Sequence, residues 1–276
     1  MAIPILALTR RELLRIARNP AAIFTSLLIP ILYLTLFGQG FSNLAGGNSV
    51  LLPPGYFLSA PNFFSSFAVG MAGFVALTAT LFTGANVIFD KLFGIFKRIA
   101  ASPASATAVF GSRVIAGAVQ PTLLSFFVLG LAILLGHTGI SSLSGLDITQ
   151  SISVLGAFEM LAAIVLLSAM FAGLFSAFGF LLTQPQSYFA VVNAINLPVL
   201  FTSNAIYPWG SMPQWLRDVA SYNPVSLCVN VLRENFFGTA YYPYPPYVYL
   251  GGLVAWTVAI FCLATLLARR TLLPHD

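Results

Sequence analysis

Long apolar runs, broken by short polar or charged stretches, organise this chain. Six of them, residues 20–38, 63–89, 114–136, 160–182, 187–207 and 248–268, approach or exceed the ~20 residues a helix needs to cross a bilayer. Residues 4–19 follow another pattern. Arg11, Arg15 and Arg18 share one helical face by i, i+4, i+7 spacing, while Ile5, Leu6, Leu13 and Ile16 lie on the opposite face. That predicts an amphipathic helix lying at the membrane interface, arginines toward anionic headgroups; a plain positive anchor accounts for the same residues. Asn19-Pro20 reads as an N-cap followed by proline at the first helical position. Pro30 predicts a kink in the first span, and the third contains Pro121.

The breaks differ in kind. Residues 39–62 are rich in Gly, Pro, Asn and Ser and carry no charge, with a short interfacial segment expected at Tyr56-Phe57-Leu58. Thr183-Gln184-Pro185-Gln186 predicts a tight turn between spans four and five. In span four, Ala169, Gly173 and Ala177 form a small-residue stripe that lets another helix approach closely, which ordinary packing within one bundle explains. Residues 208–246 are more than a loop. Pro213 opens a helical pattern through Ala220, and Asn223-Pro224 repeats the cap signature before a second helix that Gly238 should end. Arg217-Asp218 and Arg233-Glu234 interrupt both, so neither can span. They are expected as two short re-entrant helices at the outer leaflet, the adjacent acids easing the arginines' burial; a small cap standing in water is the competing reading. Tyr241, Tyr242, Tyr244, Tyr247 and Tyr249 form an aromatic belt before the last span.

The stretch from Asp90 to Pro103 is a charged island between two apolar runs. Leu92, Ile95, Phe96 and Ile99 fall at helical spacing, with Asp90 near the start and Lys97-Arg98 near the end to suit a helix dipole. It reads either as a surface that a partner grips or as a topology signal alone. With six spans, the N-terminus, residues 90–113 and the C-terminus share one side and hold ten of the twelve basic residues. The positive-inside rule makes that side cytoplasmic, with both termini in it.

Composition narrows the class. Of 276 residues, 58% are hydrophobic and only 7% charged, against about 25% charged in soluble domains. Unbroken apolar runs point to an α-helical membrane bundle rather than a barrel. The net charge of +5 gathers at membrane edges, a pattern of topology and not of nucleic-acid binding. The first apolar run is broken by Arg10, Arg11, Arg15 and Arg18, so no signal peptide is expected. Cys228 and Cys262 show no metal spacing. No Gly-x4-Gly-Lys-Ser/Thr, His-Glu-x-x-His or Gly-x-Ser-x-Gly sequence occurs, which argues against an ATPase and an intramembrane enzyme. Glu159, Asn193 and Asn196 are the polar residues expected to line the outer part of a substrate route; hydrogen bonding between helices is the alternative for the two asparagines.

Three features in order resemble the permease subunits of type-2 ABC exporters, the group that includes daunorubicin-resistance-type drug efflux permeases. They are Arg10-Arg11-Glu12-Leu13-Leu14-Arg15 with Asn19-Pro20; the loop with Phe93-Gly94, Lys97-Arg98 and Ser102-Pro103; and Tyr222-Asn223-Pro224-Val225-Ser226 with Leu232-Arg233. The resemblance covers nearly the whole chain, although the family loop usually carries more acidic residues where this one has Phe96-Lys97. It implies a single permease domain over residues 1–276 of a cell-membrane exporter for a hydrophobic compound, drug or lipid. The permease would pair with a second permease subunit and with ATP-binding subunits that hold ATP and Mg, leaving this chain without a cofactor or metal. Asp90, Lys91, Phe93, Gly94, Phe96, Lys97, Arg98 and Pro103, with Arg11 and Arg15, would couple to the ATPase. Asn223, Pro224 and Arg233 would form an external gate. The alternative is an ion-coupled secondary transporter, a class that usually places ionisable residues inside the membrane.

Overall fold

The computed structural model describes residues 2–18, 20–38, 40, 56–95, 106–137, 146 and 148–272. It is helical throughout, apart from turns and one extended segment, Tyr56–Ser59. Helix α1 is Ala2–Ala17. Helix α2, Pro20–Leu32, widens into a π-helical turn at Tyr33–Gly38, just after Pro30, whose missing N–H interrupts the ladder. Helices α3 (Phe63–Thr78) and α4 (Leu81–Leu92) are joined at a short break at Ala79 and Thr80. Helices α5 (Ala106–His137) and α6 (Val154–Leu181) are the longest uninterrupted pair. Then come α7 (Pro185–Phe201), α8 (Gln214–Tyr222), α9 (Pro224–Phe237) and α10 (Pro246–Leu272).

Four helical stretches among the described residues are long and apolar enough to cross a membrane: Phe63–Leu92, Ala108–Leu135, Val154–Leu181 and Pro246–Leu266. The other two expected spans fold as helices too. Helix α2 with its π turn covers residues 20–38, and α7 runs for 17 residues. The expected fifth span ends earlier than its apolar run, because the chain turns at Thr202 and Ser203.

Helix α6 is the axis of the bundle, packed by α10, α5, α4 and α9. Its closest approach lies outside the predicted stripe. Added side-chain carbons on Gly84 of α4 and Gly179 of α6 would run into the backbone at Phe175 and Gly84 respectively, so only glycine lets these helices touch. The stripe packs inside the bundle, with Gly173 and Ala177 buried. Helix α3 is buried along almost its whole length between α5 and α9. By contrast, α2 and α7 lie at the periphery, and a groove opens between them.

Candidate functional site

One candidate site lies at the end of the bundle where α1, α4 and α5 meet. Asp90 falls in the last turn of α4 and not at the start of a new helix. Its carboxylate is fully buried and takes Arg11 at 3.2 Å and Arg15 at 3.1 Å, both from α1. It also pairs with Arg113 of α5. Arg113 reaches back at 3.1 Å to Glu12, and Arg11 stands 3.4 Å from the same carboxylate. Two acids and three arginines thus close a ring that fastens α1 to the bundle. Of the three arginines expected to face headgroups, Arg11 and Arg15 are directed inward and about a third exposed, whereas Arg18, just past α1, is exposed, as are Leu6, Arg10 and Leu14.

Next along the chain, Lys91 turns to α6. Its ammonium donates to the carbonyls of Phe180, Gly179 and Leu182 at 2.5, 2.9 and 3.2 Å. These are the carbonyls a helix C-terminus leaves free, and a cation there complements the dipole. Two adjacent residues therefore hold α1, α5 and α6 together. Beyond them, Phe93 is exposed and Gly94 turns the chain with φ of +69°. No described atom lies near a Cβ added to Gly94, so its backbone angle, and not a tight contact, is what requires glycine. Phe96, Lys97, Arg98 and Pro103, and the short surface helix expected with them, lie outside the described residues.

A second candidate is the groove between α2 and α7, floored by α3. It encloses about 830 Å³ and is walled mainly by apolar and aromatic side chains, among them Tyr33, Phe67, Phe74, Leu200 and Tyr207. Asn196 is the one amide in its lining, and the Oδ1 of this buried residue meets no donor among the described residues. Asn193, also on α7, is exposed and is not part of the lining. Glu159 lies elsewhere, on α6, and accepts from Asn235 Nδ2 at 3.2 Å. The three residues expected along one path are therefore not brought together.

Helix α9 has the predicted ends. Asn223 Oδ1 accepts from Val225 N at 2.9 Å, Pro224 occupies the first helical position, and Gly238 closes the helix with φ of +91°. Asn223 does more than cap: its Nδ2 donates to Val199 O at 2.7 Å and to Thr202 Oγ1 at 3.0 Å, tying α9 to the end of α7. Asn230 Oδ1 accepts from Asn204 Nδ2 at 2.7 Å, a second link to the chain leaving α7. The body of α9 is buried by α3, α6 and α10. Helix α8 differs, exposing Trp215, Val219 and Tyr222 and burying Ala220.

The adjacent charges in α8 and α9 do not pair with each other. No ion pair among the described residues joins Arg217 to Asp218 or Arg233 to Glu234. Arg233 is fully buried and donates from Nε and Nη2 to Ser66 O on α3, at 3.3 and 2.8 Å. Sequence reading missed Arg113 as a partner of Asp90, and Glu12 as the second acid that Arg113 and Arg11 share. The available signal was a single acid inside an arginine-rich helix, and an isolated arginine at the start of an apolar run.

The family profile described as ABC-2 type transporter matches residues 4–237. "Putative transport permease ycf38" of Porphyra purpurea is 28% identical over 235 residues, covering 84% of this chain and 74% of its own length. "Probable doxorubicin resistance ABC transporter permease protein DrrC" of Mycobacterium tuberculosis (strain ATCC 25618 / H37Rv) is 22% identical over 256 residues, covering 91% of this chain and 82% of its own. "Daunorubicin resistance ABC transporter permease protein DrrB1" of Streptomyces coeruleorubidus is 21% identical over 230 residues, covering 83% and 74%. From α1 to the end of α9, this chain belongs to the ABC-2 type transporter family.

Proposed function

We propose that this permease is the membrane subunit of an ATP-driven exporter, with six spans, both termini in the cytoplasm of a cell-membrane protein, and a second permease subunit beside it. The ATP is bound and hydrolysed, with Mg, on separate partner subunits. The observation that carries the reading is the apolar groove, floored by the buried helix α3, with Asn196 the one amide in its lining. Such a wall suits a hydrophobic compound, since apolar area supplies affinity and a few polar groups set orientation. The relatives named for doxorubicin and daunorubicin resistance support a drug-like or lipid-like cargo moved outward.

The two ends of the bundle divide the work. Phe93, Gly94 and the loop through Lys97, Arg98 and Pro103 receive the push of the ATPase. Asp90 transmits that push from inside the protein, through Arg11, Arg15 and Arg113, so that α1, α4 and α5 move as one body. Helices α8 and α9 are the re-entrant elements of the outer side. Asn223, Pro224 and Arg233 hold α9 against α7 and α3 and so set the outer closure of the groove. Transport then follows from differential stability of two arrangements and not from side-chain chemistry.

The test begins with purification of the complex from its native membrane, identification of the co-purifying ATPase, and reconstitution of both in vesicles. ATP-dependent movement of a hydrophobic fluorescent compound is expected, with Asn196→Ala changing the preference among compounds at unchanged thermal stability. If Asn196→Ala lowers stability and leaves preference unaltered, Asn196 is a packing residue and the groove is not the route.

A further inference from the structure

At the end of α6 opposite Lys91, a carboxyl group is buried without visible compensation. Glu234 is 3% exposed, and neither of its side-chain oxygens meets a hydrogen-bond donor among the described residues. Its neighbours do not make up for this. Arg233, one residue earlier, is committed to Ser66 O on α3. Glu159 on α6 is a second carboxyl group whose field acts on Glu234, and it is itself engaged by Asn235. Tyr242 and Tyr249, the latter on α10, are the remaining titratable groups coupled to Glu234; the Tyr242 hydroxyl is also buried without a partner among the described residues. Helix α3 contributes no titratable residue, and the Arg217 and Asp218 pair belongs to α8, whose packing is against the start of α9.

This carboxyl group stands beside a clasp. The carbonyl of Phe236, two residues on, accepts from the backbone N–H groups of Thr149 and Gln150, both at 3.1 Å. Gly238 lies against the Gln150 side chain, and Asn235 lies against Gly156 at the start of α6. The C-terminal turn of α9 is thus what holds segment 148–156 down over the outer end of the bundle.

We propose that Glu234 is a proton-binding site on the outer side of the protein, and that loss of its proton releases the clasp between α9 and segment 148–156. A neutral carboxyl group can remain where Glu234 sits. An anion there has no donor and faces the second carboxyl group of Glu159, so it is relieved only when the last turn of α9 moves toward water. This rests on the six-span topology proposed above, in which the end of α9 lies at the outer surface and the site is reached from there. Burial, followed by the field of Glu159, raises the Glu234 carboxyl from its ordinary 4.5 to about 8 while the clasp is closed. In the released state the group returns toward its ordinary value. The sign follows: protonation favours the closed form, and opening becomes about tenfold easier per pH unit between the ordinary carboxyl value and about 8, then levels off. An acidic exterior therefore keeps the outer side shut, independently of any ATPase or cargo.

The test uses the full chain in lipid nanodiscs and follows hydrogen exchange of the Thr149 and Gln150 amides, which the closed clasp holds on Phe236 O. Exchange is followed from about pH 5 to about pH 9 and divided by the intrinsic rate of an unprotected amide at each pH, so that the remaining pH dependence reports opening alone. The expected result is relative exchange that rises with pH and levels near pH 8 with Glu234 present, and that stays at its low value throughout in Glu234→Gln. Glu159→Gln retains Glu234 and should move the levelling point to lower pH, a shift that a purely structural glutamate would not produce. A flat profile with Glu234 present overturns the proposal. So does an unchanged rise in Glu234→Gln, or an unmoved levelling point in Glu159→Gln.

Discussion

Replacing Asp90 by alanine tests the ring that fastens α1. The substitution removes both oxygens that receive Arg11, Arg15 and Arg113. The contacts are not of equal weight. Arg11 and Arg15 are about a third exposed, so each loses the modest energy of a surface pair, below about 1 kcal/mol. Arg113 is 4% exposed and keeps only Glu12. Removing one partner of a buried pair costs about 3–5 kcal/mol, because the other charge is stranded. The expected loss is therefore about 4 kcal/mol, most of it from Arg113, against a total stability on the order of 5–15 kcal/mol. Denaturant unfolding in mixed micelles measures it, with Arg11→Ala as the partly exposed control. The triple variant Asp90→Ala, Arg113→Met and Glu12→Gln should recover much of the loss, since it removes the buried charges together and leaves none of them stranded. Thr9, buried on α1, supplies a local readout: as cysteine it should become reactive in Asp90→Ala and be protected again in the triple variant. The reasoning fails if Asp90→Ala lies within about 0.5 kcal/mol of the parent, a difference typical of surface positions. It also fails if Arg11→Ala is as damaging as Asp90→Ala.

Other outcomes follow from the same geometry. Lys91→Met should destabilise by roughly 1.5–3 kcal/mol, since a charged donor to the end of α6 is lost, and hydrogen exchange should quicken in the last turn of α6 before it does elsewhere. Gly84→Ala should cost at least about 1–3 kcal/mol by forcing α4 off α6, while Gly94→Ala should spare the packing and perturb only the turn; thermal unfolding of the two variants separates them. The purified chain, free of partners, should release no phosphate from ATP, because it has no phosphate-cradling loop; steady turnover that tracks the pure protein would overturn that expectation.

Helix ends were legible in the sequence because capping is local. Asn223, Pro224 and Gly238 each act on residues within a turn, and the structure uses all three in the predicted roles. Pro213 likewise precedes α8, and Pro185, inside the predicted turn, opens α7 two residues before the expected span. The expected path residues fared differently. Asn196 lines the groove and Asn193 is exposed, although both lie on α7, because position around a helix decides which side chain meets its neighbours. The expectation that Glu234 eases the burial of Arg233 relied on adjacency along the chain, but no ion pair among the described residues joins the two. Arg233 instead finds a carbonyl 167 positions away in sequence.

By itself the sequence determined that this is a helical membrane protein, roughly where its helices begin and end, and which family it resembles. Those properties depend on runs of apolar residues, on charges counted between them and on contacts within one turn. Tertiary structure alone decided that Asp90 is a buried hub and not a surface handle, that Gly84 and Gly179 form the tight crossing, and that Glu234 is left without a donor. Each of those outcomes depends on helix rotation and on partners far apart in the chain. In an apolar sequence the periodicity that would reveal rotation is faint, because lipid and protein interior accept the same side chains.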